Sequence, residues 1–159
     1  MFLNKRYTQA SVAFRRAGRH REVEICNAYH LREKARSIST AASATRIKAF
    51  DAAAKAFIGC AQDSPDRRIN ESLAYYGIAG ECFSEACDPK SAAESYQKAE
   101  RYDAAACAYR EGGYFDEMVE VITQHKNTID GDLLERLTML ARMYYFKVQF
   151  HSLPASGYL

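Results

Sequence analysis

The chain has no tryptophan and only three prolines among its 159 residues, so few positions interrupt a helix. No apolar run approaches the ~20 residues that a membrane-spanning helix needs, and we expect no membrane association. No glycine-rich segment ends in Gly-Lys-Ser or Gly-Lys-Thr, the signature of the common phosphate-binding loop. What is present is an ordinary globular composition, 48% hydrophobic and 26% charged, with abundant alanine, the best helix former.

The cysteines argue against disulfides, metal binding and catalysis. Their number is odd, and each replaces a small apolar residue within a helical pattern: Cys26, Cys60, Cys82, Cys87 and Cys107. We therefore expect reduced, buried thiols, which are typical of a cytoplasmic or nuclear protein. Cys26 and His30 lie one helical turn apart, but a zinc ion needs three or four ligands. We predict no metal, no cofactor and no catalytic residue, and hence no enzymatic activity.

A triplet of small, aromatic and small residues recurs five times along the chain. The copies are Ala10/Phe14/Ala17, Ala53/Phe57/Cys60, Ala79/Phe83/Ala86, Ala92/Tyr96/Ala99 and Ala105/Tyr109/Gly112. Offsets of four and three place all three side chains on one helix face. The small residues let a neighbouring helix approach, and the ring fills the gap between them. Such helices must stack on one another, as they do in a repeat array.

The spacing of these triplets predicts short helices. Phe83, Tyr96 and Tyr109 lie thirteen residues apart, which leaves about nine or ten residues for each helix, a length that is marginal in isolation. Residues 7–18 and 102–113 match at six positions, one of them a Phe/Tyr exchange, which also indicates a repeat. Longer helices are predicted over 3–17, 20–38, 43–61, 66–87 and 133–146. We expect an all-α domain over 1–149 and a disordered tail over 150–159.

The triplet resembles the second-helix signature of tetratricopeptide repeats, Ala-x-x-x-Phe-x-x-Ala. The units here are near 13 or 26 residues and lack tryptophan, whereas the standard unit has 34 residues and a Trp-Leu-Gly-Tyr first helix. Residues 7–38 and 75–122 look like the helical-repeat region of large TPR-and-ankyrin-repeat proteins of fungal type, which carry a UvrD-like helicase domain. The resemblance implies a right-handed α-solenoid of antiparallel helix hairpins, and a fragment of a larger multidomain protein.

Charge is divided unevenly along the chain. Residues 1–48 carry eleven Lys or Arg against three Glu, for a net charge of +8, and the remaining residues carry −6. A basic surface of this density can attract an acidic protein, phosphates or the acidic end of another copy, so self-association through opposite-charge ends is also open. The candidate contact residues are Arg15, Arg16, Arg19, Arg21, Arg32, Lys34 and Arg36. Tyr75 and Tyr76 are candidate groove residues, since interfaces favour tyrosine.

These observations favour a non-enzymatic interaction module, which would serve as a scaffold for a protein or peptide partner. An acidic partner is the first hypothesis. The alternative is a nucleic-acid-binding accessory module of a helicase-like ATPase. No nucleic-acid-binding motif lies among the basic residues of this segment, so specific recognition of nucleobases is not supported. The protein partner is therefore the preferred hypothesis.

Overall fold

The computed structural model describes residues 2–63 and 69–151, with side chains described over 6–63 and 69–148. Within these ranges the chain forms eight α-helices and no strand, which confirms the all-α prediction. The helices are α1 (Phe2–Arg16), α2 (His20–Ser37), α3 (Ser43–Gln62), α4 (Ile69–Glu85), α5 (Pro89–Lys98), α6 (Tyr102–Gly112), α7 (Phe115–Gln124) and α8 (Gly131–His151). None of these helices is long and apolar enough to cross a membrane.

Local chemistry explains where several of these helices begin and end. α1 is followed by Gly18 at φ 68°, and α6 is followed by Gly113 at φ 76°, left-handed conformations that glycine adopts without steric cost. α5 begins after Asp88, whose carboxylate accepts a hydrogen bond from the Ser91 backbone N–H at 3.1 Å. Pro89 occupies the first turn of α5, where its missing N–H costs nothing.

The three shortest helices, α5, α6 and α7, have ten or eleven residues each. Each of the eight helices packs most closely on the helices that precede and follow it in the chain. The triplet rings are buried wherever a helix has a packed neighbour on both sides, with Phe57, Phe83 and Tyr109 no more than 5% exposed. Burial by neighbours therefore stabilises helices that are too short to be stable alone.

The first triplet copy differs from the other four. Phe14 is only half-buried and Ala17 is exposed, because α1 packs mainly on α2 and its outer side is uncovered. The Arg19 guanidinium lies 5.1 Å from the centre of the Phe14 ring and covers part of it.

The expectation that all five cysteines are buried within helices is wrong for two of them. Cys107 lies in α6 but is only half-buried. Cys87 lies just beyond the end of α4, is exposed, and has a positive φ of 56°. The Asp88 backbone N–H donates to the Phe83 carbonyl at 3.0 Å, and this bond closes the turn that ends α4. Cys87 therefore takes the left-handed position that glycine usually occupies at such turns.

The predicted domain boundary at residue 149 falls inside a helix, since α8 continues to His151. The predicted start of a helix at residue 66 and the part of the predicted tail beyond residue 151 lie outside the described residues.

Candidate interaction surfaces

The basic residues of α2 face acidic residues of α4. Arg21 Nη2 lies 3.0 Å from a Glu71 carboxylate oxygen, and Arg32 Nη2 lies 2.5 Å from Glu81. Glu81 also accepts a hydrogen bond from Arg101, which directly precedes α6. These ion pairs connect helices that are separated by another helix in the chain.

The other basic candidates divide into paired and free residues. Arg19, which directly precedes α2, pairs with Glu22. Arg36 pairs with Glu33 at 3.0 Å within α2. Three candidates are exposed and form no ion pair with any other described residue: Arg15, Arg16 and Lys34. The seven basic side chains therefore do not form one free cationic surface, because four of them are engaged within the molecule.

A polar hollow of about 390 Å³ lies where α2, α3, α4 and α5 meet. Arg46 lies on its wall, donates to Glu85 at 2.7 Å and places its guanidinium 4.8 Å from the centre of the Phe50 ring. Cys82 also lines the hollow, and burial raises the pKa of its thiol to about 11. A thiol with this pKa is almost fully protonated at neutral pH and is a poor nucleophile. Arg32 and Arg46 of the hollow pair with Glu81 and Glu85 on α4 and so connect helices, whereas Arg36 pairs within α2.

The two candidate tyrosines are only half-exposed. Tyr75 packs on Phe57 with ring centres 6.3 Å apart, and burial raises the pKa of its hydroxyl. Phe57 in turn contacts Tyr29, and Tyr29 stacks on Tyr7 at 5.4 Å. Tyr75 is thus the last ring of a series that runs from α1 to α4. Tyr76 is half-buried, with the Lys98 ammonium 5.5 Å from its ring centre.

The surface that the sequence pattern did not predict lies on α8. Seven of the nine large apolar side chains that are exposed in the described part of the chain belong to this helix: Met139, Leu140, Met143, Tyr144, Tyr145, Phe146 and Val148. Helical periodicity predicts an inward stripe of α8 through Leu134, Leu137, Ala141 and Tyr145. Leu137 and Ala141 are buried and Leu134 is half-buried, but Tyr145 is 37% exposed. The other exposed apolar residues of α8 lie outside that stripe. Apolar residues around the whole circumference of a helix are a signal that more than one face is covered.

A groove of about 660 Å³ runs between α7 and α8. Its apolar wall includes Val119 and Ile122 from α7, and Leu134 and Ala141 from α8. Two cations, Lys126 and Arg142, also line it. Neither forms an ion pair with another residue in the parts of the chain that the structure describes.

Aromatic and polar contacts fix α8 against α7. The Phe115 and Tyr144 rings stack with their centres 4.2 Å apart. The Tyr145 hydroxyl donates a hydrogen bond to the Asp116 carboxylate, and this bond raises the pKa of Tyr145 because it stabilises the protonated hydroxyl. The groove therefore has ordered aromatic walls on its α8 side.

Over the described ranges, no group of three or more His, Cys, Asp or Glu side chains is arranged to hold a metal ion. Comparison with known proteins gave no match to a family model, to a curated protein or to a solved structure. The resemblance to tetratricopeptide repeats therefore stays a prediction, and the surfaces described above are the basis for a functional proposal.

Proposed function

We propose that this chain is a non-enzymatic interaction module that binds a protein or peptide partner. In this proposal the eight helices form a right-handed, tetratricopeptide-like α-solenoid of antiparallel hairpins, within a larger multidomain protein. Packing mainly between consecutive helices supports the array, because repeat proteins are built from contacts between neighbouring units. The recurrent burial of one ring between small residues supports it as well.

The observation that carries the function is the exposed apolar surface of α8. Met139 and Met143 are 61% and 64% exposed, and the aromatic side chains beside them are between 37% and 64% exposed. Contiguous exposed apolar surface of this kind marks interaction sites, because leaving it in water forgoes about 25 cal/mol for each Å². The scaffold hypothesis therefore has a concrete candidate surface, at the opposite end of the helix series from the basic segment.

The nucleic-acid alternative has less support. Phosphate binding requires cations that are available to the backbone of the nucleic acid, and four of the seven basic candidates already pair with glutamates. Arg15, Arg16 and Lys34 remain, which is a small cationic surface. We therefore do not advance this alternative, and it becomes an outcome of the test.

The test is selection from a displayed library of helical peptides against the full 159-residue chain. We expect enriched peptides to bind the wild-type chain and to lose about tenfold or more in affinity against Met143→Asp, because a carboxylate in the apolar surface must be desolvated. Val12→Asp on α1, where Val12 is 50% exposed, is the matched control and should bind as the wild type does.

Two results would contradict the proposal. One is selection that enriches no peptide above background. The other is salt-dependent binding of a 20-nucleotide single-stranded DNA that is lost in the double variant Arg15→Glu/Arg16→Glu, since that result would favour the nucleic-acid alternative.

A further inference from the structure

We infer that the groove between α7 and α8 binds an acidic amphipathic helix. This inference rests on the proposed function and adds to it the conformation and the charge of the partner. Four features of the described residues support it: the length of the groove, the absence of a sheet edge, the two unpaired cations, and the like charges that oppose self-association.

The length of the groove matches a short helix. Its wall on α8 runs from Leu134 to Phe146, a distance of about 18 Å at 1.5 Å per residue. Helices α5 and α7 have ten residues each, and they cover neighbouring helix faces elsewhere in the same chain. A partner helix of three to four turns would therefore fill the groove.

A helical partner also satisfies the hydrogen-bonding groups of its own backbone. The described part of the chain contains no strand, so an extended peptide would find no sheet edge to supply hydrogen bonds for its N–H and C=O groups. A helix makes these bonds internally and presents only side chains. Rings in this chain pack against very small residues, since a Cβ placed on Gly80 would come within 2.6 Å of the Tyr96 ring. We therefore expect alanine or glycine in the partner where it faces Phe146, an exposed ring that lines the groove.

The cations of the groove set the charge of the partner. Lys126 and Arg142 line the groove together with apolar side chains. Two acidic residues of α7 already accept hydrogen bonds from other side chains: Asp116 accepts one from Tyr145, and Glu120 accepts one from Gln124. Glu135 lines an adjoining hollow with Arg142 but forms no ion pair with it in the described structure. Carboxylates on the partner would complement these two cations and fix its orientation.

A second copy of the chain is a poorer occupant. The exposed segment 139–148 contains Arg142 and Lys147 and no acidic residue. Two α8 helices packed through this segment would bring cations of like charge together, which opposes association. The charge of the segment therefore favours a different, acidic partner.

The experiment uses two fluorescein-labelled peptides of 18 residues that share one stripe of leucine and alanine. Outside that stripe, at the positions that would face the rim of the groove, the acidic peptide carries glutamate and the basic peptide carries lysine. Fluorescence anisotropy with the full chain measures both affinities, and circular dichroism confirms that both peptides are helical to the same degree. We expect the acidic peptide to bind about tenfold more tightly at low salt.

The variants separate charge from apolar contact. The double variant Lys126→Glu/Arg142→Glu should remove or reverse the preference for the acidic peptide. Arg15→Glu/Arg16→Glu makes the same change of charge on α1 and should leave the preference intact. Phe146→Asp, which places a carboxylate in the apolar wall of the groove, should weaken both peptides. Val119→Asp on the α7 wall is a second variant for the case in which Phe146→Asp alters the melting temperature.

Equal affinity for the two peptides, with both lost in Phe146→Asp, would overturn the inference about charge and leave the proposed function standing. Failure of both peptides together with a library that yields no binder would overturn both. A dimer in sedimentation velocity that dissociates in Phe146→Asp would show that a second copy occupies the groove, which also contradicts the inference.

Discussion

The five cysteines differ in how far their thiols are removed from water. Burial raises the pKa of Cys60 and of Cys82 to about 11. It also raises the pKa of Cys26 and of Cys107. Cys87 is exposed beyond the end of α4. Since the thiolate is the reactive form, and access is needed as well, these thiols should differ strongly in reactivity.

We predict that a single thiol of the native chain reacts rapidly with Ellman's reagent at pH 8. Cys60 and Cys82 have a pKa of about 11 and are only ~0.1% ionised at that pH, and burial makes both of them and Cys26 inaccessible as well. Cys107 is half-buried, and burial raises the pKa of its thiol, so it should react more slowly than Cys87. The fast phase should correspond to one thiol per chain, vanish in Cys87→Ser, and increase to all five in 6 M guanidinium chloride. Two or more fast thiols in the native chain, or a fast phase that survives Cys87→Ser, would contradict the assigned burial.

The sequence could predict the buried residues of the helix stripes but not the exposure of Cys87. Helical periodicity assigns Ala53, Ala79 and Ala92 to packed faces, and all three have no exposed surface. At Cys87 the periodicity continues although the helix has ended. The end depends on a backbone turn closed by the Asp88 N–H, and a cysteine in the left-handed conformation gives no sequence signal of such a turn.

At the scale of a helix, two glycines test how closely neighbouring helices approach. Gly59 lies in α3 and Gly80 in α4, both within helical segments. A Cβ on Gly59 would meet nothing within 4 Å, whereas a Cβ on Gly80 would lie 2.6 Å from the Tyr96 ring. The same substitution therefore has opposite expected effects at the two sites.

We predict that Gly59→Ala raises the free energy of unfolding by about 0.5–1 kcal/mol, because alanine is the better helix former. Gly80→Ala should instead lower it by about 1–3 kcal/mol, because the added methyl group displaces the Tyr96 ring. Urea denaturation followed by circular dichroism measures both. A stabilising Gly80→Ala would show that α4 and α5 do not pack ring against glycine, and Gly59→Ala controls for helix propensity alone.

The helix boundaries and the ion pairs between helices differ in how far sequence determines them. Gly18 is a local signal for the end of α1, and α1, α2 and α3 begin and end within one residue of the predicted positions. The pairs Arg21–Glu71 and Arg32–Glu81 span 50 and 49 residues. Such pairs depend on which helices lie side by side, and one sequence without a fold does not fix that. The sequence therefore predicts a basic binding surface, although two of its seven candidate residues pair with α4.

At the scale of the whole molecule, helix α8 differs from the helices in the middle of the series. α3 and α4 each pack closely on two neighbours, whereas α8 packs mainly on α7, and less extensively. Helical periodicity places Leu137 and Ala141 on the inward face of α8, and both are buried, but periodicity does not show whether anything covers the other faces. The candidate groove has no sequence signal for that reason, since exposure of an end helix is a property of the assembled series.

We predict that α8 opens independently of the middle of the molecule. Leu137 is fully buried between α7 and α8, and Leu137→Ala should cost about 2–5 kcal/mol at that interface. If stability is the sum of nearest-neighbour interfaces, hydrogen–deuterium exchange measured by mass spectrometry should accelerate in α7 and α8 and stay unchanged in α3 and α4. Phe57→Ala, which removes an equally buried ring from α3, is the matched control and should accelerate exchange in α3 and α4. Equal acceleration along the chain in Leu137→Ala would mean that the eight helices unfold as one cooperative unit, and the array hypothesis would lose its energetic basis.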